Sequence, residues 1–386
     1  MVKAQYTVSL YSSQHAAAFQ EFADHFWPRE DPSIDNSYSP SQVTVNESDR
    51  IENKPPTFLF LKDEAVIGHI TSLPVRLSTP SAITQAHWVV GFMVLPEHRN
   101  GLVGPYLIKK VNQTLDLAMS LHVEEPVLKI LKGLGWYHVG VIPQYVHVLN
   151  GYRLVRNIRA QQMSFFNQHG GFWGRGLQFL ASKRLAQITM GLLAQLAVRS
   201  WLLATTSARR SGRALYVAEE HEFDSSYDSF WDRVGMKFEA LVVRDRAYLQ
   251  ARYGRTLKHY KLLACREKDE LRGFFILKIR QFQDDPRMGW LRIATIIDCL
   301  FDPSHPQSLQ ALLSASFKRL TGEGVDVIFC TASHRAVQEL LVKNAFIKMP
   351  GNLNFAYHDR TGSINKHVSL RAWHLMRGDS DAAANF

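Results

Sequence analysis

Cysteine is scarce in this chain. Its 386 residues hold three, Cys265, Cys299 and Cys330, each set in an apolar run. That is too few for a disulfide framework, and all three read as buried strand thiols in a reducing compartment. The patterns C-x-x-C and H-E-x-x-H are absent, which removes the common zinc sites, and no metal is expected. Long apolar runs are missing too. The uncharged stretch 185–198 ends at Arg199, short of the roughly 20 residues a membrane-crossing helix needs. The opening MVKAQYTVSLYSS has no apolar core after its lysine, so it reads as a first strand and not a secretory leader, and the expected location is the cytoplasm. Acidic residues are the minority: 35 Asp and Glu face 45 Lys and Arg, for a net charge of +10. Such a balance favours an anionic partner. A hydrophobic share of 46% with 21% charged excludes a disordered or fibrous chain, and the length predicts two domains.

What is present alternates between strand and helix signals. Period-2 patterning predicts strands at 6–11, 57–61, 65–73 and 87–95, the middle two joined by the turn Lys62-Asp63-Glu64. Helical spacing covers 14–27, 104–119 and 123–134, with the last stopped at Gly135, and 137–149 supplies two closing strands. After residue 213 the order recurs: a strand at 214–218, helices at 223–234 and 245–253, a hairpin at 260–266 and 273–278, then a strand at 291–300, a helix at 308–320, a strand at 325–330 and a helix at 335–343. Between the copies, 160–213 holds Gly170, Gly171, Gly174 and Gly176 as an approach to a long helix at 177–204 with a narrow polar stripe, Gln187, Gln195 and Arg199. A broad apolar face is ordinarily core, which places this helix between the domains. The other reading lays it on an anionic membrane, aided by Lys183, Arg184, Arg209, Arg210 and Arg213.

The segment 88–111, WVVGFMVLPEHRNGLVGPYLIKKV, is the most informative. An apolar strand runs into Pro96, a short basic loop with Gly101 and Gly104, and a helix. Backbone amides at such a helix start suit a diphosphate, with Arg99 adding charge at the mouth. Here the sequence resembles the GNAT superfamily of acyl-CoA-dependent N-acyltransferases: Val94, Pro96, Glu97, Arg99 and Gly104 match its V-x-P-E-x-R…G pattern, while Asn100 and Leu102 stand where glycines are usual. The stretches 129–145 and 339–350 are similar to the closing helix and turn of that fold, and 242–263 and 372–382 to segments of bacterial tandem-GNAT proteins.

The resemblance implies an α/β (α+β) chain of two GNAT-like folds in tandem, each a mostly antiparallel, splayed sheet flanked by helices. The implied division is 1–160 with the phosphate loop, a helical linker at 161–213, a degenerate second copy at 214–378 and a tail at 379–386. It implies an acetyl-CoA (or other acyl-CoA) site made by Phe92, Met93, Val94, Leu95, Arg99, Asn100, Gly101, Leu102, Val103, Gly104, Pro105 and Tyr106. The expected activity is transfer to a small amine, such as an amino sugar of surface-polysaccharide or lipid-linked sugar assembly. Nucleic acid is not an expected partner, and membrane contact would be peripheral, through 177–213. An aminoacyl-tRNA-dependent transferase and a non-catalytic adaptor with decayed sites stand as alternatives.

Catalysis in that superfamily needs a base for the amine and, often, a tyrosine for the leaving thiolate. The tyrosine position holds Leu131 in the first copy and Leu341 in the second, and the strand position that often carries an acid is Gly91. The remaining candidates are His87 and His98 near the loop, and Asp298 and His334 in the second copy. Each also has a bland reading: structural histidines, a turn-capping aspartate, a solvent-facing His334.

Overall fold

The computed structural model describes residues 5–26, 56–157, 196, 200, 215–364 and 368–381. In chain order the elements are β1 (Tyr6–Leu10), α1 (Ala16–Phe26), β2 (Thr57–Lys62), β3 (Ala65–Ser78), β4 (Ile83–Val94), α2 (Val103–Thr114), β5 (Leu117–Leu121), α3 (Glu125–Gly133), β6 (Tyr137–Val148), α4 (Gly151–Asn157), β7 (Leu215–Glu220), α5 (Ser226–Val234), β8 (Ala240–Val242), α6 (Arg246–Tyr253), β9 (Tyr260–Glu267), β10 (Glu270–Gln281), β11 (Arg292–Phe301), α7 (Gln307–Gly322), β12 (Val327–Thr331), α8 (Arg335–Lys343), β13 (Ile347–Asp359) and β14 (Trp373–His374). The long helix expected at 177–204 lies outside the described residues apart from Leu196 and Ser200, both helical and exposed. Among the described residues no helix is long and apolar enough to cross a membrane.

Two compact units emerge, and neither is a continuous stretch of sequence. The first takes 1–142, 238–243 and 351–386; the second takes 143–237 and 244–350. In the first, β1, β2, β3 and β4 form an antiparallel meander, β5 joins β4 in parallel, and β13 closes the row antiparallel to β5, Phe355 opposite Leu121 and Asp359 opposite Leu117. In the second, β7, β9, β10 and β11 form the meander, β12 is parallel to β11, and the sixth strand is the end of β6, with Val148 opposite Val327. Each unit thus draws its last strand from far away in the chain. The consecutive division at 160 and 213 does not capture this, because sequence pattern carries no information on non-local strand pairing.

The first unit's core shows why these segments fold as they do. Val103, Leu107, Ile108 and Val111 recur at helical spacing on α2 and pack on Phe58, Phe60, Ile67, Ile70 and Val89 of the sheet, with Leu128, Leu131 and Trp136 beside them. The other face of the sheet carries α1 through Phe19 and Phe22. The helix expected to run through 119 stops at Thr114; Leu115 is extended, with φ −99° and ψ 132°. Residues Leu117–Leu121 are buried throughout as β5. Their local preference suits a helix, and burial between two strands overrides it. The segment 137–149 forms one strand, not two. In the tail the Asp379 carboxylate is buried and accepts from Met376 N at 2.6 Å, while Arg377 donates to Asn352 Oδ1 at 3.1 Å.

The two units end their last α-helices alike. After α3, Trp136 N donates to Leu131 O at 3.0 Å, and after α8, Phe346 N donates to Leu341 O at 3.0 Å. Both turns need a left-handed residue, Gly135 at φ +86° and Ala345 at φ +54°. Nothing lies within 4 Å of where a Cβ on Gly135 would sit, so only the backbone conformation resists a side chain there. Gly135→Ala is expected to cost about 1 kcal/mol and Ala345→Gly to gain a fraction of that. Denaturant midpoints of the two variants check the pair; a destabilised Ala345→Gly contradicts it.

Candidate functional site

The register of β4 creates an opening in the first unit's sheet. Thr71 lies opposite Val90, but the next pair is His69 opposite Met93, so Gly91 and Phe92 together face Ile70. This bulge sits on Gly91 at φ +60°, a conformation that suits glycine and bends the strand. On its other edge β4 meets β5 only through His87 with Ala118 and Trp88 with Met119. Beyond that row the strands part. Ser120 Oγ reaches across the start of the gap to Val89 O at 3.3 Å. From Val90 to Val94 the far edge of β4 has no strand neighbour among the described residues, which leaves its backbone donors and acceptors, Val94 O apart, available to an extended ligand.

The strand then delivers the chain into a tight turn and α2. Pro96–His98 is a single 3-10 turn. His98 N donates to Leu95 O at 2.9 Å and Gly101 N to His98 O at 3.2 Å. Arg99 folds back, its Nε donating to Val94 O at 3.0 Å. No side chain caps the first turn of α2, so the amides of Leu102, Val103 and Gly104 form an uncapped helix start with positive partial charge. Pro105 has no N–H to offer, and Asn100 is exposed. Leu102, 66% exposed, and Tyr106, 49% exposed, flank the turn.

Two glycines serve the packing of α2. A Cβ on Gly104 would stand 3.0 Å from the Phe92 ring, and one on Gly68 would stand 2.7 Å from Val103. Both let α2 lie close on the sheet. Gly101 needs no special φ and has only His98 O nearby, at 3.4 Å. Phe92, Val94 and Leu95 are half-buried against the α2 side, and Met93 and Leu95 against the α1 side.

The four catalytic candidates separate. His87 is half-buried on β4, one row before the strands part; its Nδ1 is buried without a partner, and burial lowers its pKa against the opposing pull of Asp116. His98 is half-buried in the turn. Asp298 and His334 take structural places in the second unit. Asp298 is fully buried and accepts from Arg244 Nε at 2.9 Å, Tyr253 Oη at 3.1 Å and Cys299 N at 2.8 Å. Its oxygens are committed and cut off from solvent, which a general base cannot be. His334 is the N-cap of α8: its Nδ1 accepts from Ala336 N at 3.2 Å, and burial holds its pKa down at about 4. The solvent-facing reading of His334 fails for the same reason.

The second unit shows what the opening looks like when filled. There too the parallel pair parts, after Ile296 opposite Cys330, and the register slips at Ile297. Asp298 follows directly, and the buried Arg244 guanidinium and Tyr253 ring occupy its surroundings. Of two adjacent residues in the segment 242–263, Arg244 closes this unit's core and Asp245 caps α6 by accepting from Tyr248 N at 2.8 Å.

Sequence reasoning missed Tyr357. It lies on β13 opposite Met119, in the row Trp88–Met119–Tyr357 where β4 and β5 separate. Burial, with Tyr137 and Asp359 adding to it, pushes its pKa up to about 12, so it is a protonated phenol at neutral pH. Only its place beside β5, which no local pattern announces, marks it out.

The sequence matches no protein-family model and no curated protein. Solved structures do match over nearly the whole chain. A GCN5-related N-acetyltransferase from Anabaena variabilis superposes with a TM-score of 0.56 at 12% identity, covering 92% of this chain and 73% of that one. A probable N-acyltransferase from Enterococcus faecalis gives 0.55 at 9% identity, with the same coverage. Saccharomyces cerevisiae N-myristoyltransferase with bound myristoyl-CoA gives 0.53 at 12%, covering 93% and 80%.

Two stability outcomes follow from the placements above. Asp298→Ala removes the buried carboxylate that pairs with the Arg244 guanidinium, and is expected to cost about 3–5 kcal/mol; an unchanged denaturant midpoint contradicts the structural assignment. His69, His147 and His334 all have pKa values lowered from 6.5 to about 4, chiefly by burial. The unfolded chain therefore binds more protons between those values, so stability is full above pH 6.5 and falls as the pH drops towards 4. His69 has no partner on either ring nitrogen and lies between Phe19 and Phe22, at 5.3 and 5.4 Å. His69→Phe is expected to flatten the acid loss measured by urea unfolding; a profile as steep as the parent's contradicts this. By architecture, the chain has the fold of the GNAT N-acyltransferases.

Proposed function

We propose that the protein is an acyl-CoA-dependent N-acyltransferase whose donor site is the opening beside β4. One observation carries the reading: a half-sheet edge, freed by the Gly91 bulge, leads straight into an uncapped helix start in a fold shared with acyltransferases. The free edge of Val90–Leu95 suits the amide-bearing pantetheine arm, and the amides of Leu102, Val103 and Gly104, with Arg99, suit the diphosphate. Asn100, Gly101, Pro105 and Tyr106 line the same turn. The reaction joins the acceptor nitrogen to the thioester carbon, breaks the C–S bond, and moves one proton from the amine to the departing thiolate.

The residues present allot those protons differently from the usual pattern. Leu131 and Leu341 are buried core residues and supply none. Tyr357, a protonated phenol in the row where the strands part, is our candidate donor to the thiolate. His87, with its lowered pKa, stays neutral and is our candidate proton acceptor. We read the donor as acetyl-CoA and the acceptor as a small amine, an amino sugar by the likeness of 242–263 and 372–382 to bacterial tandem proteins. Arg244 and Arg377 within those segments serve the fold, so that finer reading rests on the likeness alone.

Calorimetric titration with acetyl-CoA and myristoyl-CoA tests the donor site and its chain-length preference. Arg99→Ala is expected to weaken binding about five- to hundredfold, the equivalent of losing a charge-assisted contact of roughly 1–3 kcal/mol. Absence of binding to either thioester, or unchanged affinity in the variant, overturns the assignment. Tyr357→Phe is expected to lower turnover while leaving the donor Kd unchanged.

A further inference from the structure

The second unit carries a cleft of about 340 Å³ that the acyl-transfer reading does not use. It is lined by the end of β7, the turn before β9, and the starts of β9 and the far half of β10. Its floor is apolar: Leu257 and Leu277 are buried and Ile279 is half-buried. Tyr260 forms a wall, its ring edge-on to Tyr253 at 5.5 Å. A volume of this order is at the lower end of small-molecule sites.

The charges around it divide into two groups. On one side Lys261 Nζ contacts Glu323 at 3.0 Å and Glu219 at 3.7 Å, and Arg319 contacts both of the same acids. Two acids and two bases neutralise each other there. On the other side stand Lys258, His259 and His221, whose side chains make no ion pair or hydrogen bond with any described residue. The acids of the neighbouring surface do not compensate them. Glu220 is held by Arg266 and Tyr227, Asp224 by Ser226, and Asp269 by Tyr216. Glu222 lines that neighbouring surface and not this cleft, while His221 stands on the rim between the two. What remains is an apolar floor with one uncompensated ammonium and two imidazoles at its rim.

We propose that this cleft binds an amphipathic anion: a phosphate or carboxylate on a compact hydrocarbon or aromatic body. The anion lies against Lys258, His259 and His221, where charge attraction is strongest. The body covers Leu257, Leu277 and Ile279, releasing water from apolar surface. This rests on the second unit alone and stands whether or not the first binds acyl-CoA.

The test is calorimetry on the full chain at low salt with octyl phosphate, octanoate and octanol, repeated with saturating acetyl-CoA present. Both anions are expected to bind saturably, and octanol at least tenfold more weakly; the tighter anion tells phosphate from carboxylate. Lys258 is exposed, so Lys258→Glu leaves the fold intact, and it is expected to weaken the anions at least tenfold. Acetyl-CoA is expected to displace neither. No saturable anion binding, octanol binding as tightly as the anions, parent affinity in Lys258→Glu, or displacement by acetyl-CoA each overturns the proposal.

Discussion

A strand that is hydrogen-bonded along one edge only is the constraint on which the first unit's architecture turns. Past Trp88, β4 keeps β3 and loses β5. Unpaired backbone in a half-buried place is costly unless something pairs with it. The parting is built in by an extra residue at a left-handed glycine, anchored by Ser120 on Val89, and held open by the close seating of α2 on Gly68 and Gly104. These features send the strand's free edge and the start of α2 to the same place. A ligand with amides along its length and a diphosphate at one end answers both.

The second unit is the internal control. It has the same succession of strands, the same parallel pair and a register slip at the corresponding point. There the space is taken by its own side chains, Arg244 paired with Asp298 and Tyr253 donating to the same carboxylate. A buried pair of this kind adds little net stability over an apolar filling. Its geometric effect is larger, since it occupies what the first unit leaves open. An acid that looks catalytic in the sequence is thus the means by which one opening is closed.

Much of this was legible from local pattern. The hairpins, the strand-turn-helix from 88 to 111 and the helix 335–343 are set by periodicity and by turn residues close together in the chain. What was not legible depends on partners far away. LAMSL at 117–121 has no strand signal of its own and becomes β5 because β4 and β13 enclose it. The exchange of closing strands, β13 in one unit and the end of β6 in the other, leaves no trace in spacing. Tyr357 belongs to the same class, since only its pairing with Met119 brings it near the opening. Histidine is an uncommon helix cap, which is why His334 read as a candidate base while its ring nitrogen was needed by Ala336 N. Gly104 is visible in the sequence only as part of the loop before a helix; that Phe92 forbids a side chain there is a fact of packing.

The central claim is that the freed edge of β4 and the first turn of α2 form one binding surface for acyl-CoA. Amide hydrogen exchange with and without acetyl-CoA measures this directly, because it reads the backbone groups that the claim assigns to the ligand. The expected result is slowed exchange confined to residues 90–95 and 101–106, with no change in the corresponding strand, 297–301, of the second unit. Unaltered exchange at 90–106 under saturating acetyl-CoA, or protection appearing at 297–301 instead, would contradict it.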